Sequence, residues 1–216
     1  MEQTTCNIVV LISGSGTNLQ ALIDASQSSS YKISAVISNR PEVFGLQRAK
    51  QDKIHTLTID HKSFVSRDKF DQALGDAIEE IDPDLIVLAG FMRILGVDFV
   101  NRFEGRILNI HPSLLPKYPG INTHQRAIDA GDKEHGVSVH FVTADLDGGP
   151  VIAQESVPIL KDDTAEALAA RVLEKEHIVY PKVVSWFASG RLHMKAGKVI
   201  LDHEELPDTG VNVHFQ

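Results

Sequence analysis

Residues 7–12 form an apolar run of strand length; a glycine-rich turn follows, and Leu19, Leu22 and Ile23 then recur at helical spacing. The same alternation repeats downstream. Residues 33–37 read as a strand, 43–50 as a helix, 55–59 as a short strand, 67–81 as a helix and 85–89 as a further buried strand. Strands that are apolar on both faces need cover on both. Strands of this kind alternating with amphipathic helices therefore predict a parallel sheet sandwiched between helices. The expected fold class is α/β, a doubly wound, mostly parallel and Rossmann-like sheet.

The rhythm changes in the second half. A strand at 107–110 leads into a proline-rich loop at 111–120 and a helix near 123–130. Residues 137–142 and 151–157 read as two strands whose connecting loop, containing Asp147-Gly148-Gly149-Pro150, is too short for a crossover helix, so they are expected to pair antiparallel. A long helix spans about 164–188, where Pro181 is expected to bend it or divide it in two. Residues 199–201, after a turn at Gly197, read as part of a small edge hairpin. No internal repeat stands out, and the only short biased stretch is Ser28-Ser29-Ser30.

Composition narrows the function classes. A chain of 216 residues, 43% hydrophobic and 23% charged, buries roughly 70% of its unfolded surface, so one compact domain over 1–216 is the default. The formal charge of -8, with basic residues scattered rather than clustered, argues against a broad electrostatic hold on nucleic acid. No apolar run approaches the roughly 20 residues of a membrane span, and residues 1–6 lack the pattern of a secretory signal, so a cytoplasmic protein is expected. The single Cys6 has no thiol partner and reads as a small buried strand residue.

Three constellations carry chemistry. Ser13-Gly14-Ser15-Gly16-Thr17-Asn18-Leu19 lies between a strand and a helix, where backbone amides and the helix dipole attract an anion such as phosphate. Leu19 stands where a dinucleotide fingerprint needs a small residue, and Ser38-Asn39-Arg40 offers no acid for a ribose diol, so NAD is disfavoured. The alternative is a tight turn capped by Thr17 or Asn18 that binds nothing. Next, Asn109-Ile110-His111-Pro112-Ser113 ends a strand. Alternation puts Asn109 and His111 on one face, and Pro112 holds His111 out of the helical region. An amide beside an imidazole suits acyl transfer, the amide steadying an oxyanion and the imidazole relaying a proton; a lone strand-end histidine is otherwise structural. Last, Asp145-Leu146-Asp147-Gly148-Gly149-Pro150 reads either as a turn or as the source of a carboxylate that favours the imidazolium form of His111; the sequence leaves that contact open.

Together these segments resemble the formyltetrahydrofolate-dependent transferases nearly end to end, through residues 8–19, 89–95, 109–116 and 147–150. Asn109-Ile110-His111-Pro112-Ser113-Leu114-Leu115-Pro116 with a downstream Asp147-Gly148-Gly149 is the most specific part. The resemblance implies transfer of the formyl group of 10-formyltetrahydrofolate, as co-substrate, to the amine of glycinamide ribonucleotide in de novo purine synthesis, with no metal and no covalent enzyme intermediate. The expected partners are these small-molecule substrates, with no nucleic acid and no membrane, and the expected assembly is a monomer or homodimer. By the same resemblance Asn109 polarises the formyl oxygen, His111 donates a proton, and Asp147 keeps His111 charged and orders a water. Gly16, Thr17 and Asn18 match the phosphate site and Glu176 the acid that holds the ribose hydroxyls. Arg67, Met92, Arg93, Ile94 and Leu95, with Asn109, match the folate pocket. Residues 1–105 would then be the phosphate-binding half and 106–216 the catalytic and folate-binding half.

Each of these residues also has a structural reading. Arg67 at a helix start gains nothing from the dipole and could be a solvated side chain. Met92, Ile94 and Leu95 could be core, and Glu176 could belong to the polar face of a helix. His140, inside a strand, is expected to face a sheet surface and takes no role. Rival functions are a formyltetrahydrofolate hydrolase, whose family usually adds an amino-terminal regulatory domain for which this chain has no room, and a methionyl-tRNA formyltransferase, which adds a carboxyl-terminal RNA-binding domain. A noncatalytic nucleotide-binding module would need only residues 14–18.

Overall fold

The computed structural model describes residues 5–213; residues 1–4, within the amino-terminal stretch that lacks a signal-like pattern, and residues 214–216 lie outside the described residues. The chain divides into two compact units, Met1–Leu108 and Asn109–Gln216.

The first unit alternates strands and helices: β1 (Cys6–Ile12), α1 (Thr17–Ser26), β2 (Tyr31–Ser38), α2 (Phe44–Gln51), β3 (His55–Thr58), α3 (Arg67–Ile81), β4 (Leu85–Leu88) and α4 (Val97–Arg102). Its strands lie in the order β3-β2-β1-β4, every neighbouring pair parallel. Residues Ile8 to Ile12 of β1 and Leu85 to Val87 of β4 are essentially without solvent exposure, as strands covered on both faces must be. Leu19, Leu22 and Ile23 of α1 and Phe70, Leu74 and Ile78 of α3 supply one apolar stripe each. Helix α3 has the expected bounds because Ser66 caps it, its hydroxyl accepting from the Lys69 amide. Cys6 is buried, and burial pushes its thiol up to about 11, so it is an inert strand residue as expected.

The second unit opens within β5 (Ile107–His111) and continues with α5 (Thr123–Asp129), β6 (Glu134–Phe141), β7 (Val151–Pro158) and α6 (Ala165–Ala188). Strands β6 and β7 pair antiparallel, as their short connection requires, with a register shift between Val139 and His140. Helix α6 packs on both of them. The fold is the expected α/β class, mostly parallel with antiparallel strands in the carboxyl-terminal half. Among the described residues no helix is long and apolar enough to cross a membrane.

Three expectations need correction. Helix α4 was not anticipated; its six residues are too few to show a helical period. Pro181 does not divide α6, which runs as one helix of 24 residues. Proline in a helix interior costs about 3 kcal/mol, and Val179, Tyr180, Val183 and Val184 around it are fully buried at about 1.5–3 kcal/mol each, so packing prevails. The tail is not an edge hairpin: β8 (Leu192–Lys195), β9 (Lys198–Leu201) and β10 (Glu204–Glu205) form a separate three-stranded antiparallel sheet.

Candidate active site

Strand β5 delivers Asn109 and His111 to its carboxyl end, and the loop after β6 delivers Asp147. The three are brought together through specific contacts. His111 Nε2 donates to the Tyr118 carbonyl at 2.9 Å, and His111 Nδ1 lies 3.4 Å from Asp147 Oδ2. Both ring nitrogens thus face oxygen acceptors. The contact that the sequence left open between His111 and Asp147 is present. Asp147 itself adopts φ 50°, and its Oδ2 accepts the Gly120 amide at 2.8 Å. A side chain at Gly149 would place its Cβ 1.9 Å from the Phe141 carbonyl oxygen, so this loop closes against β6 only with glycine there.

His140, which the sequence reading left without a role, belongs to this cluster. Its Nε2 lies 3.1 Å from Asn109 Nδ2 and 3.8 Å from Asp147 Oδ1, while its Nδ1 lies 2.8 Å from the Phe141 carbonyl. The carbonyl can only accept, so Nδ1 carries the hydrogen and Nε2 accepts from the Asn109 amide. Burial pushes the His140 imidazole down, which keeps the ring neutral as this pattern requires. The ring is buried, not on a sheet surface. A signal was available: Ser138 and His140 alternate on an apolar strand just as Asn109 and His111 do on β5.

The loop after β5 is held by its own network. Asp132 Oδ2 accepts from both Lys117 Nζ and the Tyr118 hydroxyl, each at 2.9 Å, and Arg126 donates to the Pro119 carbonyl while covering the Tyr118 ring. Behind it His135 Nε2 lies 3.1 Å from His124 Nδ1. Burial, and then the His124 charge, push His135 from its ordinary value of 6.5 down to about 4, and burial pushes His124 down as well. Because the folded state binds the proton less well than the unfolded one, stability from this group is complete above about pH 6.5 and falls as pH drops toward 4. We expect the melting temperature to fall between pH 7 and pH 5, and His135→Gln to flatten that slope; an unchanged slope in the variant would assign the acid sensitivity elsewhere.

In the first unit Gly16, Thr17 and Asn18 form the entry to α1. Gly16 occupies the N-cap position at φ 72° and brings no capping side chain, so the expected alternative of a cap by Thr17 or Asn18 is not what starts the helix. A Cβ at Gly16 would lie 2.7 Å from the Cα of Gly45, and Gly45 N donates to the Gly14 carbonyl. Gly16→Ala therefore combines a left-handed backbone with a backbone collision. It is expected to destabilise the protein by about 1–3 kcal/mol and to weaken phosphate binding at least tenfold, measured by thermal melting and ribonucleotide titration. Wild-type values on both would show that the loop tolerates a side chain.

Residues 92–95 are not core as a group: Met92 is 66% and Ile94 56% exposed, Leu95 is buried, and the Arg93 guanidinium lies over the Phe70 ring at 4.9 Å. Arg67 is about half-exposed beside Asp68. Glu176, in the second unit, is buried rather than part of a solvated helix face. Among the described residues no group of three or more His, Cys, Asp or Glu side chains is placed to hold a metal ion.

A strand-end amide close to an imidazole that faces a carboxylate is an arrangement suited to group transfer of the acyl-transfer type. The comparisons specify which. The formyl transferase family model matches residues 6–184, and the chain belongs to that family. It is 53% identical over 206 residues to the phosphoribosylglycinamide formyltransferase of Escherichia coli K12, covering 94% of this chain and 97% of that one. It is 44% identical to the human trifunctional purine biosynthetic protein adenosine-3, over 94% of this chain and 20% of that protein. The solved phosphoribosylglycinamide formyltransferase of Coxiella burnetii superposes with a TM-score of 0.92 at 55% identity, covering 96% of this chain and 98% of that one.

Proposed function

We propose that the protein transfers the formyl group of 10-formyltetrahydrofolate to the amine of glycinamide ribonucleotide, giving formylglycinamide ribonucleotide and tetrahydrofolate in de novo purine synthesis. The observation that carries this reading is the cluster of Asn109, His140, Asp147 and His111, in which the Asn109 amide donates to His140 and Asp147 lies 3.4 Å from His111, in a chain that shares 53% identity with a phosphoribosylglycinamide formyltransferase along almost its whole length. The family supplies the formyl-folate co-substrate.

In this mechanism the substrate amine attacks the formyl carbon directly. The Asn109 amide stabilises the charge that gathers on the formyl oxygen, and His111 supplies the proton that the departing tetrahydrofolate nitrogen takes up as the tetrahedral intermediate collapses, while the proton lost by the attacking amine restores the imidazolium. Asp147 acts as a positioning residue that holds His111 charged and oriented. Gly16, Thr17 and Asn18 take the ribonucleotide phosphate at the amino end of α1, and Glu176 its ribose hydroxyls. Met92, Ile94 and Leu95 offer the folate an apolar surface, with Arg93 and Arg67 supplying positive charge. No metal enters the scheme.

The test is release of tetrahydrofolate from 10-formyltetrahydrofolate by the purified protein, with and without glycinamide ribonucleotide. Release that requires the ribonucleotide and yields its formylated product supports the transferase. Equal release without it makes the protein a hydrolase, and no release under either condition points to another acceptor or a binding module.

A further inference from the structure

Residues 92–96 lack regular secondary structure, yet both ends are fixed by buried side chains from elsewhere in the first unit. At the start, the Met92 amide donates to Ser13 Oγ at 2.8 Å. Ser13 is buried, and its own hydroxyl hydrogen is committed to Asn39 Oδ1 at 2.6 Å, so the oxygen is aimed at Met92 by a second hydrogen bond. Asn39 is in turn buried, with its carbonyl receiving His61 Nδ1 at 2.7 Å. At the end, the Gly96 amide donates to Asp71 Oδ2 at 2.8 Å from the buried face of α3. Between the anchors Leu95 is buried and the Arg93 guanidinium rests on Phe70, the neighbour of Asp71.

An irregular segment with exposed Met92 and Ile94 would otherwise sample many conformers, and ordering it on ligand binding would weaken affinity. Neither anchoring residue is expected from a purely structural turn. Asp71 takes a carboxylate into a buried site where its Oδ1 has no hydrogen-bond partner among the described residues, and burial pushes the group upward against the Gly96 amide and the charges of Arg67 and Arg93. Ser13 opens the glycine-rich loop yet spends its side chain on the other loop.

We infer that Ser13 and Asp71 are positioning residues for the formyl donor: they pin the two ends of the 92–96 segment so that its backbone edge and apolar side chains stand preformed for the folate. The inference rests on the folate reading of that segment. It implies that the anchors govern donor affinity rather than the chemical step. A hydrogen-bond acceptor at position 71 is what matters, and asparagine, which keeps an oxygen for the Gly96 amide, can replace the carboxylate.

The experiment compares Asp71→Ala, Asp71→Asn and Ser13→Ala with the unmodified protein by equilibrium binding of 10-formyltetrahydrofolate and by steady-state kinetics in both substrates. Donor binding by the unmodified protein tests the folate reading first; its absence removes that reading, whatever the variants do. Given donor binding, Asp71→Ala and Ser13→Ala are expected to raise the donor KM and Kd about tenfold, the scale of one lost buried hydrogen bond. In Asp71→Ala the ribonucleotide KM and kcat should stay within about twofold, and Asp71→Asn should recover most of the donor affinity. A melting temperature that falls with donor Kd unchanged would overturn the inference and leave the anchors purely structural. So would Asp71→Asn binding the donor as poorly as Asp71→Ala. If Ser13→Ala does not fold, the Asp71 pair alone decides.

Discussion

Replacing His111 by alanine is expected to lower kcat by about 10²–10⁴ while the affinity for glycinamide ribonucleotide changes little. The imidazole sits between two acceptors, the Tyr118 carbonyl and Asp147, and in the proposed mechanism it supplies the proton for the leaving nitrogen. Alanine removes that proton and leaves Asp147 Oδ2 with the Gly120 amide as its remaining partner. The glycine loop proposed to take the phosphate lies in the first unit, where Gly16 approaches Gly45 closely. Ribonucleotide binding should therefore survive, and the two quantities can be read separately by single-turnover formyl transfer and by ribonucleotide titration. Loss of ribonucleotide affinity with intact turnover at saturation would contradict the assignment. Asp147→Ala is a weaker version of the same change: it keeps the imidazole but removes the carboxylate that faces Nδ1, so a smaller loss is expected.

Local pattern carried most of the first unit into view. Strands β1, β2 and β4 are apolar on both faces, and α3 begins at a capping serine, so period and punctuation located them within a residue or two. Helix α4 escaped because six residues do not complete two turns. The course of α6 through Pro181 depends on what its buried face packs against, which no local rule contains. The same division holds for the site. Asn109, His111 and Asp147 were legible because two lie at alternate positions of one strand end and the third in a glycine-rich turn. His140 was not, because its partner Asn109 is 31 positions away and their meeting depends on how separate strands lie together. Glu176 sits in a run of charged residues on α6, and only the packing of the helix shows that this one is buried.

Asn109→Ala is expected to cost about 2.7–4 kcal/mol of transition-state stabilisation, a fall of roughly 10²–10³ in kcat, on the scale of losing one oxyanion donor. The direction in which the amide faces decides the effect. His140 Nδ1 is committed to the Phe141 carbonyl, so its Nε2 has only a lone pair to offer, and it can be met only by the Asn109 nitrogen. One amide hydrogen is spent there; the other remains for the formyl oxygen. Asn109→Asp preserves shape but presents an acceptor to an acceptor, and should be at least as impaired as alanine. His140→Ala leaves the amide in place but free to rotate, so a loss of about tenfold is expected, smaller than that of Asn109→Ala. If His140 acts through Asn109, the double variant should be no slower than Asn109→Ala alone, because the group being oriented is already gone. Additive losses would mean that His140 contributes by another route. Turnover close to that of the unmodified protein in Asn109→Ala would remove the oxyanion role altogether and leave His111 as the only residue of this strand end with a part in the chemistry.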